Sequence, residues 1–289
     1  MRVPQVGIIS TGIRGEERLL LEAFRERAVA VRVVDDRRLR GRVGSWPEGL
    51  PPVDAVLLRS RSLYRNLYLA RFLESQGVHT VNSPAVLHTC GDKLLTSLAL
   101  SAAGAPHVEA HWGFTVGGAR EAGTALGFPV VTKPVIGSWG RLVGKVGDGD
   151  ALETILEHKE AVGGAPHAVH YLQRYVTCGG EDVRAFVMGD RCVAAIRRCG
   201  EGWRANTALG AGVTREVVTQ ELETAAVAAA RAVGGGAVAV DLFPTPDGYL
   251  VNEVNGTMEF RNSIEPTGVD LAGTLADYLL ESFAGVGAA

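Results

Sequence analysis

The 289-residue chain has four cysteines, Cys90, Cys178, Cys192 and Cys199, and no Cys-x-x-Cys pair. Scattered thiols in a chain of this length argue against a disulfide framework or a zinc knuckle, and for a reducing compartment. Apolar stretches are short and broken by Gly, Arg or Asp, so no segment reads as a membrane span. The opening residues hold too short and too β-branched an apolar run for a signal-peptide core, and the expected location is the cytoplasm. An excess of one charge is missing as well. Lys+Arg 29 against Asp+Glu 32 gives a net charge of -3, which removes any global attraction to nucleic acid or an anionic membrane. An anion bound by this protein must be held by a local site. Gly-x-Ser-x-Gly, His-Glu-x-x-His, a Cys–His pairing and the Walker A loop are all absent.

What is present is the balance of a compact soluble protein, 46% hydrophobic and 21% charged, long enough for about two domains. Strands are predicted at 6–10, 29–34, 54–58 and 79–81, with amphipathic helices at 16–27 and 63–76. That alternation implies a small parallel sheet with helices on its faces. After a helix starting near Asp92 the pattern changes. Strands are expected at 128–135, 142–146 and 168–176, with a helix at 150–160 among them. Hairpins follow at 182–198, across Gly189-Asp190, and at 237–255, across Pro246-Asp247-Gly248. Helices are expected at 214–233 and 270–283. This second part reads as antiparallel α+β. His107 and His111 have the spacing of two ligands on a helix, but Pro106 and the extended run at 111–115 make them loop histidines. Gly234 to Ala239 matches Gly-x-Gly-x-x-Ala, yet it leaves a helix and enters a strand, the reverse of the dinucleotide fingerprint.

The hairpin at 237–255 is the most informative stretch. With its turn centred on Asp247, Asp241 lies opposite Glu253, their Cβ atoms about 5 Å apart. Asn255 shares that face, whereas Leu242, Leu250 and Val254 point away. Two carboxylates and an amide oxygen on one face suit Mg²⁺, which takes one or two carboxylates plus substrate phosphates. The competing reading is a solvated polar face, and the apolar alternation behind it weighs against that. Lys133 sits in an apolar strand, where a lone ammonium is costly, so an anionic partner is expected. The glycine-rich turn at 137–141 follows directly and is suited to phosphate. Arg184, Arg197 and Arg198 cluster on the central hairpin with Asp182; for Arg197 an exposed surface role is equally open.

Taken in chain order, Lys93, the run Lys133 to Arg141, Gln173 with Tyr175-Val176, Asp182-Val183-Arg184, Asp241-Leu242-Phe243 and Asn252 to Asn255 resemble the ATP-grasp ligases of the LysX/RimK group. The stretch from Asn252 to Ser263, closing on Thr267 to Asp270, is more similar to the LysX branch. The resemblance covers essentially the whole chain. It implies an α/β plus α+β architecture: an ATP-grasp fold behind an N-terminal Rossmann-like pre-ATP-grasp domain. The implied divisions are 1–90, a central subdomain at 91–172 and a C-terminal subdomain at 173–289. Lys93 and Lys133 would contact ATP phosphates, and Gly137, Ser138, Trp139, Gly140 and Arg141 would cover them. Gln173, Arg174, Tyr175 and Val176 would hold adenine, with Asp182 near the ribose. Arg184 would steady the transferred phosphoryl group, while Arg198 and Asn206 would contact phosphate or the acyl intermediate. Asp241, Glu253 and Asn255 would bind Mg²⁺, and Asn262 and Ser263 would meet the amino-acid substrate.

The reaction so implied joins the α-amino group of 2-aminoadipate, or a similar amino acid, to the C-terminal glutamate side chain of a small acidic carrier protein of the LysW type. It runs through an acyl phosphate, as in lysine biosynthesis, and relatives suggest a homodimer or homotetramer. A RimK-like glutamate or peptide ligase and a non-catalytic ATP-binding sensor are the alternatives. Departures from the family pattern fall at Arg174, Cys199, Leu209, Ala211, Gly256 and Glu265-Pro266, largely on the amino-acid side of the site.

Overall fold

The computed structural model describes residues 4–137, 141–164, 167–200, 202–203 and 212–286. Ser138, Trp139, Gly140 and Asn206, like the departures at Leu209 and Ala211, lie outside the described residues. The first unit consists of β1 (Val6–Ser10), α1 (Gly15–Glu26), β2 (Val31–Asp35), β3 (Ala55–Arg59), α2 (Leu63–Ser75) and β4 (His79–Val81). Its four strands form a parallel sheet in the order β2-β1-β3-β4. Every residue of β1 and β3 is buried, because helices cover both faces; such strands read as unbroken apolar runs. Ile8 and Leu57 face Leu20 and Phe24 of α1, while Ile9 and Leu58 face Ala70 and Leu73 of α2. Ser83 caps α3 (Pro84–Cys90) and Asp92 caps α4 (Lys93–Ala102), each accepting backbone N–H bonds.

The second unit is the antiparallel sheet β5-β8-β6-β7, built from β5 (Ala110–Gly113), β6 (Val130–Lys133), β7 (Gly144–Val146) and β8 (His170–Arg174). Helices α5 (Val116–Leu126) and α6 (Gly149–Val162) back it through Leu126, Leu152, Leu156 and Leu172. Sequence periodicity does not announce α5, because Gly117, Gly118 and Gly123 dilute its helical propensity. Gly123 has a packing reason: a Cβ there would come within 2.5 Å of Leu152 Cδ2.

The third unit is the antiparallel sheet β11-β10-β9-β12-β13. Its strands are β9 (Glu181–Met188), β10 (Arg191–Cys199), β11 (Gly212–Glu216), β12 (Ala237–Thr245) and β13 (Gly248–Asn255). The helix expected over 214–233 is corrected here. Thr214 to Glu216 belong to β11, Thr214 pairing with Arg197, and α7 (Gln220–Ala232) starts only after its cap Thr219. Val213, Thr214, Val217 and Val218 are β-branched and favour extended chain over helix. Small side chains let α7 lie close to the sheet: Ala226, Ala229 and Ala230 are fully buried. A short α8 (Arg261–Thr267) follows, and α9 (Leu271–Val286) returns to the first unit, where Leu271, Leu275 and Leu279 join Leu20 and Phe24 in one core. Among the described residues no helix is long and apolar enough to cross a membrane.

A buried polar joint ties the first unit to the segment before α8. Glu16 and Glu17 lie on the inward stripe of α1 with Leu20, Ala23 and Phe24. Arg59, at the end of β3, donates to Glu16 (2.8 Å), to Glu17 (3.4 Å) and to the Met258 carbonyl (2.5 Å). Glu16 also accepts the backbone N–H groups of Phe260 (2.7 Å) and Arg261 (3.2 Å). Asn82 makes a second tie. Its amide exchanges two 2.7 Å bonds with the backbone of Ala237 and donates to the Gly256 carbonyl at 2.6 Å. Gly236 must be glycine at that contact: its φ is +94° and a Cβ would fall 2.3 Å from Asn82 Oδ1.

Candidate active site

The central sheet presents a polar face built by register. Asp182 pairs with Arg198, Arg184 with Asp241, and Asp241 with Glu253 across neighbouring strands. The Asp241–Glu253 pairing follows from two compensating features. The hairpin turns tightly at 246–247, with Thr245 opposite Gly248, and a β-bulge between Asp241 and Leu242 absorbs one extra residue of β13. That residue is Asn252. The bulge turns it toward the cleft, where its Oδ1 accepts from Lys133 Nζ at 2.7 Å. Strict alternation would have sent Asn252 to the far face, so the sequence pattern alone gives it no role.

Charge on this face is closely compensated. Arg184 binds Asp241 with both ends, at 2.7 and 2.8 Å, and Arg198 binds Asp182 likewise, at 2.5 and 2.6 Å. Arg198 also reaches Asp241 at 3.2 Å. Burial opposes ionisation of Asp241, but the two guanidiniums outweigh it and hold its carboxyl well below the usual carboxylate range. Asn255 Nδ2 lies 3.4 Å from Asp241 Oδ2, and Glu253 faces Lys93 at 3.3 Å. Arg197 points elsewhere: it pairs with Glu181 and Glu216, both at 2.7 Å, and stands outside the cleft.

Opposite this face stands the second sheet, and between the two lies a cleft of about 530 Å³. Lys133 projects from β6 into it, 8% exposed. The anionic partner expected for it is not found among the described residues. Its hydrogen bonds go to two amide oxygens, Gln173 Oε1 at 2.5 Å and Asn252 Oδ1 at 2.7 Å. Burial pulls its pKa down to about 8, so it is still cationic at neutral pH, with its charge unmatched by any contacting carboxylate. Such a group is ready for an incoming anion. Lys93, at the start of α4, donates to the Gly137 carbonyl at 2.7 Å and so links the glycine-rich turn to Glu253.

At one end the cleft is apolar. Val131, Val143, Tyr175, Val176, Trp203 and Phe243 line it, with Lys145 Nζ 3.6 Å from the centre of the Tyr175 ring. An aromatic base fits there. Gly137, Arg141, Gln173 and Arg174 reach the same cleft, although Arg174 spends its guanidinium on Glu109. Asn262 and Ser263 do not line it. They belong to an adjoining recess of about 300 Å³, which shares Arg14, Arg184, Arg198 and Glu259 with the main cleft. Arg14, Arg59, Arg61 and Glu259 were not anticipated; they come from the first unit and from the stretch before α8. One signal was present: two acids, Glu16 and Glu17, on the apolar stripe of a predicted helix. Cys90 also lines the cleft, and burial pushes its thiol above the ordinary range.

A cleft between two antiparallel sheets, with lysines on one wall and acids on the other behind a parallel-sheet domain, defines an ATP-grasp enzyme. The sequence profile of the RimK-like ATP-grasp domain matches residues 120–279, and that of the LysX preATP-grasp domain matches residues 6–89. The chain is 34% identical to the glutamate–LysW ligase ArgX of Sulfurisphaera tokodaii, over 96% of this chain and 99% of that one. It is also 34% identical to the α-aminoadipate–LysW ligase LysX of Sulfolobus acidocaldarius, over 79% and 83% of the two chains. A RimK domain ATP-grasp protein from Sphaerobacter thermophilus superposes with a TM-score of 0.80 at 28% identity, covering 96% and 99%. The chain belongs to the RimK-like ATP-grasp family and is a carboxylate–amine ligase.

Proposed function

We propose that the enzyme uses ATP to activate the C-terminal glutamate side chain of a small acidic carrier protein of the LysW kind, and joins it to the α-amino group of glutamate or 2-aminoadipate. The observation that carries this reading is the facing of Lys93 and Lys133 by Asp241 and Glu253 within one cleft. Relatives similar over most of the chain are named as LysW ligases, one for each of the two amino acids.

The donor set fits Mg²⁺. Asp241 and Glu253 are paired across the hairpin, and Asn255 lies beside Asp241. Two carboxylates and an amide oxygen, completed by phosphate oxygens, are typical for this ion. When bound, Mg²⁺ supplies positive charge to the phosphoryl oxygens. The protein does the rest. Tyr175, Val176 and Phe243 enclose the base, and Lys93 and Lys133 hold the phosphates. A carboxylate oxygen of the carrier attacks the terminal phosphorus and ADP departs, leaving an acyl phosphate. Arg184 and Arg198 then stabilise that group by charge-assisted hydrogen bonds. The amine nitrogen attacks the acyl carbon and loses a proton, and inorganic phosphate leaves as the amide forms. In a coupled assay, ADP release should require both an acidic carrier ending in glutamate and an amino acid. Equal release with the amino acid alone would contradict the carrier assignment.

A further inference from the structure

Charge is spread unevenly along the chain. Residues 1–90 hold fourteen arginines and no lysine against nine acids, although the whole chain has a net charge of -3. Sheet register gathers part of that basic excess on one edge. Ser10 stands level with Asp35 on one side and Arg59 on the other, so the segments leaving β1, β2 and β3 emerge side by side. The buried carboxylate of Asp36 ties them together by accepting from Thr11, Ser60 and Arg65. Arg37 is spent on Asp35. Arg61 is exposed, and among the described residues it has no carboxylate partner. It also lines the main cleft, with Arg14, Ser60 and Leu63, so this edge of the sheet is the rim of the cleft. Helix α2 continues the rim. Asn66, Ala70 and Leu73 form its inward stripe. Its outward face shows Tyr64, 50% exposed, and Tyr68, 70% exposed, beside the exposed Arg65 and Arg71. Tyr64 and Tyr68 are four residues apart and Tyr68 and Arg71 three, so the side chains are neighbours.

We propose that the outward face of α2 is the docking surface for the folded body of the acidic carrier, with Tyr64, Tyr68 and Arg71 as anchors, and that the carrier's C-terminal tail enters the cleft past Arg61. The proposal rests on the ligase reading above and deepens it. A cleft of about 530 Å³ that also takes a nucleotide admits only the end of a protein chain. The rest of the carrier stays outside and must lie against the rim. An acidic body is repelled by the acidic excess of the later residues and drawn to the basic edge of the first unit, which orients it before contact. Exposed tyrosine and arginine side by side have the composition of interface anchors, whereas ordinary surface is richer in Lys and Glu. Arg61 stands where rim and cleft meet, and its unmatched guanidinium suits a carboxylate of the passing tail.

The test compares wild type with the double variant Tyr68→Ala, Arg71→Glu and with Arg61→Glu. Two acceptors are used: a purified acidic carrier of the LysW kind ending in glutamate, and a short synthetic peptide of its C-terminal tail, which lacks the folded body. Carrier binding is measured by calorimetry, amide formation by steady-state assay, and oligomeric state by sedimentation. The double variant should raise the Kd and KM for the carrier by about 30-fold, the scale of losing an interface anchor. The ratio of kcat/KM for carrier to that for peptide should fall by a similar factor, a change that general damage to the enzyme would not produce. Arg61→Glu should weaken both acceptors, because the tail passes it in each case. Added salt should weaken the wild-type enzyme toward its variants for the carrier. An active double variant with an unchanged carrier-to-peptide ratio overturns the proposal. So does a double variant that loses self-association while its carrier Kd holds, since the face then belongs to a second copy of the chain. A wild type that binds the carrier through Tyr68 and Arg71 but forms no amide overturns the ligase reading and leaves the docking surface standing. A wild type that neither binds the carrier nor forms an amide removes both.

Discussion

Replacing Glu253 by alanine is expected to lower amide formation by about 10³-fold, the scale of removing one preorganised charge contact to a transferring group. The carboxylate stands opposite Asp241 across the hairpin and faces Lys93 at 3.3 Å. Without it the cation loses one of its two acids, and Lys93 loses the neighbour that orients it toward the phosphates. The folded state should barely register the change. Glu253 is a quarter exposed on its side chain, and partly solvated ion pairs of this kind contribute about 0–1 kcal/mol. Steady-state assays together with urea unfolding separate the two effects. Near-normal turnover in a folded Glu253→Ala protein would remove this residue from the metal site.

The opposite pattern is expected at Arg59. Arg59→Met should destabilise the protein by about 3–5 kcal/mol, because it strands buried carboxylates that have no water to turn to. Arg59 is 3% exposed and Glu17 is fully buried. Burial pushes the Glu17 carboxyl up, but the Arg14 hydrogen bonds and the Arg59 charge outweigh it, and its pKa ends below the ordinary value of 4.5. A depressed carboxyl contributes stability that is present above its unfolded pKa and is lost as pH falls through its folded one. Wild-type stability should therefore drop below about pH 4.5 with a Glu17 component, and that component should shrink in Arg59→Met. Urea midpoints collected across that range check both statements. Equal midpoints for the two proteins at neutral pH would show that the joint carries little of the fold.

Much of this architecture is legible in local sequence, for physical reasons. The buried strands β1 and β3 are continuous apolar runs because both their faces are covered, and Ser83-Pro84 and Asp92 mark helix starts by their capping chemistry. The Asp241–Glu253 pair is legible too, although the route differs. A turn centred on Asp247 gives the same pairing as a tighter turn plus a bulge. The bulge itself is invisible to alternation, and with it the turning of Asn252 toward Lys133. Lys133 reads correctly as a residue in an apolar place, but its amide partners come from 40 and 119 positions away. Arg14, Arg59 and Glu259 meet the cleft only because the first unit folds against the last, a contact that no local pattern encodes. The helix expected from Thr214 begins six residues later, since β-branched residues there pair with β10 instead.

Everything in the account depends on the carrier's carboxylate taking up the terminal phosphoryl group of ATP within this cleft. Carrier protein carrying heavy oxygen in its C-terminal side-chain carboxylate, incubated with enzyme, ATP and glutamate, tests that step directly by mass spectrometry of the products. The account predicts one heavy oxygen in the released inorganic phosphate for each amide formed. Heavy oxygen appearing in AMP instead, or phosphate free of the label while the amide accumulates, would contradict it.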